Sequence, residues 1–292
     1  MSYQTFLRNS AIIIIASVLT LTACRRTKDD VTTTPASADD NGGYATDAAK
    51  MDRNSNDIIS IADAADETGG ANLRTTATTL GGCATVTRDT TGGIRRIIVD
   101  FGTGTCTSLD GRVRSGKIIV TYTGRYKDSG SVHTITTNNY YVDGYKVIVH
   151  KTVTNEGLNS SGQVWYTVSV NDTIVISTDS FISWTGSRTR TWLAGYSTPT
   201  RSDDEYLIGG TTSLRRANGN VFTHTISATD PLKVALACRW IKAGTVTISS
   251  SSFTGGSRTL NYGYSPSGMT PGGCDDKAQL TIGTRTHIIT MR

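Results

Sequence analysis

The feature that most constrains this chain is a series of short β-branched runs, broken by turn residues, that begins near Thr75 and continues to the C-terminus. The clearest are Lys117 to Thr123 (KIIVTYT), Ser131 to Thr137 (SVHTITT), Tyr145 to Thr154 (YKVIVHKTVT), Val164 to Val170 (VWYTVSV), Thr173 to Ser177 (TIVIS) and Thr245 to Ser249 (TVTIS). Val, Ile and Thr are stiff at χ1 and suit the pleated surface of a sheet better than a helix. Alternation is plainest at Val164, Tyr166, Val168 and Val170 against Trp165, Thr167 and Ser169, so one face of such a strand is apolar and the other Thr-rich. Asp143-Gly144, Asn171-Asp172 and Asn218-Gly219-Asn220 read as short turns that suit hairpins rather than helical crossovers. The expected fold is mainly β: an antiparallel meander with too many strands for one open flat sheet, and hence a sandwich or a strongly curved sheet.

One short N-terminal helix is expected beside this sheet. Between Asp47 and Glu67, Met51, Ile58, Ile61, Ala62 and Ala65 fall near one helical face, with Asp47 placed to cap the start and Gly69-Gly70 to end it. That face is weak, so the helix must lie on something larger to persist. Hydrophobic residues make up 37 % and charged residues 18 % of the chain, which excludes a coiled coil, a polytopic membrane protein, a collagen-like fibre and a wholly disordered chain. The net charge is only +5 and the basic residues are dispersed, so nucleic acid is not an expected partner.

The N-terminus carries an address. A polar start containing Arg8 leads into an apolar run from Ala11 to Leu21, too short to span a bilayer comfortably, and then into small residues before a cysteine. Leu21-Thr22-Ala23-Cys24 resembles the bacterial lipobox. The resemblance implies a mature chain that starts at lipidated Cys24 and is anchored to the membrane through acyl chains rather than spanning it. Lys28-Asp29-Asp30 just beyond it resembles the export signal of Bacteroidota surface lipoproteins, and Asp89-Thr90-Thr91 and Asp172-Thr173-Ile174 resemble O-glycosylation triplets of that lineage. The implied location is the outer membrane, lipid-anchored, facing the cell exterior.

The chain then divides into a signal peptide (1–23), a polar tether (24–46), the helix (47–70) and a single β-rich domain (71–292). Within the domain there is an echo. Val99-Asp100-Phe101-Gly102 leads to Cys106 and Leu260-Asn261-Tyr262-Gly263 leads to Cys274, each preceded by a further cysteine, Cys83 and Cys238 respectively. Two related units, 83–123 and 238–291, are expected. These paired-cysteine units, with TYTGRY at 121–126 and YYVDGYKV at 140–147, resemble a group of Bacteroidota outer-membrane lipoproteins. That likeness carries no activity with it.

With Cys24 assigned to lipid, Cys83, Cys106, Cys238 and Cys274 remain, an even number that in an exported chain points to disulfides. The echo favours Cys83 with Cys106 and Cys238 with Cys274. A four-thiolate zinc site would need C-x-x-C spacing, which is missing, so no metal is expected. Gly111 to Lys117 (GRVRSGK) has phosphate-loop spacing, but Ile118 replaces the required hydroxyl and a strand follows in place of a helix, so it reads as a turn between strands. Neither G-x-S-x-G nor H-E-x-x-H occurs. No catalytic residue and no cofactor is expected.

The strongest binding candidate is Trp184 to Trp192 (WTGSRTRTW), which as a strand projects Trp184, Arg188, Arg190 and Trp192 to one side. At a surface, aromatic rings flanking two guanidinium groups would stack on sugars or engage anionic polymer; within a sheet they would form a structural ladder. The functional expectation is a non-enzymatic, lipid-anchored envelope protein whose β-domain binds extracellular glycan or another envelope protein, or serves a structural role. Two alternatives stand beside it: an exported glycan hydrolase using an Asp pair, and a periplasm-facing lipid-carrier or assembly module with a curved apolar groove.

Overall fold

The computed structural model describes residues 43–67, 83–93, 95–264 and 272–291. Cys24, the signal peptide, the Lys28-Asp29-Asp30 segment and the Gly69-Gly70 helix stop lie outside the described residues. One helix, α1 (Gly43–Glu67), precedes β1 (Thr85–Asp89), β2 (Arg96–Asp100), β3 (Cys106–Thr107) and β4 (Val113–Tyr122). Five long strands follow: β5 (Val132–Val142), β6 (Tyr145–Leu158), β7 (Val164–Ser177), β8 (Ser180–Ala194) and β9 (Glu205–Arg216). The chain closes with β10 (Val221–Ile226), β11 (Leu232–Ala235), β12 (Ile241–Ala243), β13 (Thr245–Ser249), β14 (Arg258–Asn261), β15 (Lys277–Ile282) and β16 (Arg285–Thr290).

Among the described residues these strands form one antiparallel sheet in the order β1-β2-β4-β5-β6-β7-β8-β9-β10-β13-β14-β15-β16, with β3 on β4, β11 on β9 and β12 on β11. The meander is a single sheet rather than a sandwich. It is covered on its inner face by α1, which contacts groups from β4 near one end of the order and from β8, β9 and β10 farther along. Strands that far apart can meet one helix only if the sheet curves around it, so the curvature follows from what it encloses.

Hairpin turns carry much of this order. Asp143 and Gly144 both adopt positive φ (51° and 85°) between β5 and β6, the conformation that Asp-Gly accepts most readily. Asn171-Asp172, by contrast, is not a turn: the runs on either side merge into the single strand β7. Asn171 points to solvent and Asp172 into the interior, where Lys151 meets it, so alternation outweighs the local preference of Asn and Asp for turns. The GRVRSGK segment is likewise mostly strand. Gly116 (φ 79°) makes a bulge in β4 opposite β5, and a Cβ there would fall 1.9 Å from the Asn139 carbonyl oxygen, so only glycine fits.

The two disulfides are Cys83–Cys106 and Cys238–Cys274. Their units share a local design. The Asp100 side chain accepts a bond from the Gly102 N–H and that of Asn261 from the Gly263 N–H, while the buried Phe101 and Tyr262 each donate a backbone bond to the carbonyl of a positive-φ glycine, Gly116 and Gly244.

The inner face is apolar: Ile97, Val99, Ile118, Val120, Ile135, Val149 and Val168 pack toward Ala45, Ala48, Ile58, Ile61, Ala62 and Ala65 of α1. The outer face is a hydroxyl surface. Thr121, Thr134, Thr152, Ser169, Ser187 and Thr211 are successive cross-strand partners from β4 to β9. The row continues without a break through Thr225, Thr247, Thr259, Thr281 and Thr286 to β16. No member of it is buried.

Candidate functional site

The helix is more polar than its burial suggests. Besides the apolar residues, Asp52, Asn54, Ser55, Asn56, Ser60, Asp63 and Asp66 are all buried, so the weak apolar stripe expected from sequence is only one side of an element enclosed on most sides. Asp47, Asp52 and Asp57 are five residues apart, and five residues advance a helix by about 140°. The three carboxylates therefore point in three directions, and the sheet answers each one from a different strand.

Asp47, rather than capping the helix, which runs from Gly43, accepts a bond from Arg216 of β9 at 2.6 Å. Burial raises the Asp47 carboxyl above its ordinary value, and Arg216 and Lys50 offset this only partly. Asp57 meets Arg114 at 2.8 Å and Arg112 at 3.1 Å. Arg112 also reaches Asn54 at 2.8 Å, and Arg114 reaches Asp110 at 2.6 Å. These are the two arginines of the phosphate-loop-like segment, and their use is to hold the helix. Near its C-terminal end, Asp63 accepts from Arg201 at 3.0 Å and Asp66 from the backbone N–H of Tyr126 at 2.6 Å.

At the centre is Asp52. One carboxylate oxygen takes bonds from His224 Nε2 at 2.9 Å and the Tyr262 hydroxyl at 3.0 Å. The other lies 2.7 Å from Arg188 Nη1, a charge contact whose angle falls outside hydrogen-bond geometry. Burial alone would raise the Asp52 carboxyl, but His224 and Arg188 outweigh it and hold it at about 2. Arg188 Nη2 touches His224 Nδ1 at 3.0 Å, and its guanidinium lies over the Trp184 ring at 4.2 Å.

A second polar cell surrounds Arg190. Its guanidinium lies 3.6 Å from the centre of the Tyr206 ring, and its three side-chain nitrogens have no hydrogen-bond partner among the described residues. Tyr126 and Tyr166 stack at 4.6 Å, and their hydroxyls, like Trp192 Nε1, are buried without a protein partner. The cell is thus rich in donors and walled by aromatic rings, a chemistry that suits a carboxylate, a phosphate or ordered water.

Trp184, Arg188, Arg190 and Trp192 do project to one side of β8, but that side is the interior: all four are buried. They are not a sugar-stacking surface. Thr185, Ser187, Thr189 and Thr191 between them face outward, and the interior offers the guanidinium groups the carboxylate of α1 and the rings of neighbouring strands. Sequence reasoning missed Asp52, His224 and Tyr262, which lie far apart in the chain. The available signal was the five-residue spacing of aspartates in a helix, matched by arginines at inward positions of strands. Among the described residues no cluster of three or more His, Cys, Asp or Glu is placed to hold a metal ion.

These features define a class: an antiparallel β-domain folded around its own acidic helix, clasped by buried guanidinium groups. No family model matches the chain, no curated protein matches it and no solved structure matches it.

Proposed function

We propose that this chain is a non-enzymatic protein of the cell envelope, anchored by lipid at Cys24 to the outer membrane and facing the cell exterior, whose β-domain binds glycan through its convex face. The observation that carries this reading is the unbroken outward row of Thr and Ser from β4 to β16. Hydroxyls both donate and accept, and strands place them about 4.8 Å apart, a regular array suited to a polymer that is itself made of hydroxyls. Two disulfides accord with an exported chain. The inner face, where a lipid carrier would keep its groove, is filled by α1, and the helix carboxylates Asp52, Asp57 and Asp63 that face it are committed to arginines.

The test is protease treatment of intact cells producing the chain with a C-terminal tag, beside lysed cells and a Cys24→Ser variant. Loss of the tag from intact cells, together with release of the Cys24→Ser protein from the membrane fraction, is expected. Protection in intact cells with digestion in lysate would place the domain in the periplasm and overturn the surface reading.

A further inference from the structure

Lys151 and Asp172 stand apart from every other charged pair in the domain. Lys151, in the middle of β6, is directly opposite Val170 of β7, and Asp172 lies two residues farther along β7 opposite Val149. Both side chains point to the inner face, where Lys151 is 0 % and Asp172 3 % exposed. Ile135 flanks Lys151 on β5, and Trp184 flanks Asp172 on β8. Within this apolar frame Lys151 Nζ is in direct contact with Asp172 Oδ2.

The carboxylates that face the sheet from α1 are well supplied: Asp52 has three polar neighbours and the half-buried Asp57 has two arginines. Among the described residues Asp172 Oδ1 has no hydrogen-bond partner, and Asp172 is the one partner of a Lys151 ammonium that could donate three bonds. A buried ion pair is favourable only when further hydrogen bonds satisfy both members. Left as ions, these two would be poorly solvated charges. Burial, together with the nearby positive charge of Arg188, drives the Lys151 amine well below its ordinary value and so favours its neutral, nucleophilic form. A free amine held against a carboxyl group in a dry site has the proximity that makes an otherwise slow condensation effectively unimolecular.

We infer that Lys151 and Asp172 condense to an intramolecular amide that joins β6 to β7 covalently. The chemistry closes without any co-reactant. One proton passes from the Lys151 ammonium to the Asp172 carboxylate, giving amine and carboxylic acid. Nζ then attacks Cγ, the Nζ–Cγ bond forms, and the bond from Cγ to the protonated oxygen breaks. The departing hydroxyl takes a proton from nitrogen and leaves as water. Two buried charges become one neutral amide, nothing is oxidised or reduced, and two long strands near the centre of the sheet are tied across a loop that runs from 151 to 172.

Peptide mapping of the full chain, purified from producing cells, reduced and digested in denaturant, decides the matter. Trypsin cuts after Lys146 and Arg188, and an acylated Lys151 is not a trypsin site. The expected product is one peptide, Val147 to Arg188, with Lys151 uncut and a mass one water below its sequence. Cleavage of that peptide at Glu156 must leave its two parts joined, which separates the amide from a simple cyclised aspartate of the same mass. Asp172→Ala should restore cutting after Lys151. Recovery of separate 147–151 and 152–188 peptides at their full masses from the unsubstituted protein would overturn the inference, whatever the folding of the variant.

Discussion

Asp52 shows how one residue can set the response of the domain to acid. Its carboxyl titrates at about 2 when folded, against 3.8 ordinarily, because His224 and Arg188 outweigh its burial. A depressed folded value stabilises the protein above the ordinary value and loses that contribution as pH falls toward the folded one, so the window is roughly pH 4 down to 2. The linkage is on the order of 2 kcal/mol. In Asp52→Asn, folding stability measured by urea titration should be lower at neutral pH and should change less between pH 4 and 2 than in the parent. An unchanged acid slope would mean that Asp52 does not carry this linkage. The same residue scale explains why the Trp-Arg-Arg-Trp side of β8 was only half legible. Alternation correctly put Trp184, Arg188, Arg190 and Trp192 on one face, but charge and aromatic content do not say which face is the interior. That depended on Asp52, more than a hundred residues away, being there to receive Arg188.

At the scale of elements, the pairs between α1 and the sheet are not equivalent. Asp57 lies between Arg112 and Arg114, both nearly fully buried, so Asp57→Ala takes one charged partner from each, leaving Arg112 with Asn54 and Asp143 and Arg114 with Asp110, and should destabilise the domain by roughly 2 kcal/mol in denaturant unfolding. The exposed pair Arg125–Asp128 serves as a control, and Arg125→Ala should leave the unfolding midpoint where it was. Strand existence was legible from β-branched runs because period-two alternation is a local property; the run at Thr245–Ser249 coincides with β13. The limits of β7 were not, because Asn171-Asp172 carries turn chemistry that a long inter-strand ladder overrides. The helix was legible in place but not in burial. A polar helix enters a core only if its partners arrive from elsewhere in the chain, and no local pattern records that.

For the molecule as a whole, the inner and outer faces divide the work. Among the described residues α1 is the helix that covers the inner face of the sheet, so a chain beginning at residue 83 should remain unfolded or aggregate, and a peptide of residues 43–67 supplied in trans should restore a cooperative thermal transition. Folding of the 83–292 piece alone to the same stability would show that the helix is dispensable. The outer row can be tested without disturbing that core. Replacing Ser169, Ser187 and Thr211 together by Lys changes three exposed side chains, so the thermal midpoint should stay put while retention on immobilised extracellular glycan falls several-fold. Loss of both together would trace the effect to folding rather than to the face.

The way α1 is held also has a mechanical meaning. On the lipid-anchored reading, a tug from the membrane enters the described domain at Gly43, and its component along the helix axis loads every contact of α1. The contacts at Asp47, Asp52, Asp57 and Asp63 leave that axis sideways and in different directions. Such a load does not peel them one after another from an edge; it shears them all at once. A domain built this way is best braced against a pull along its helix.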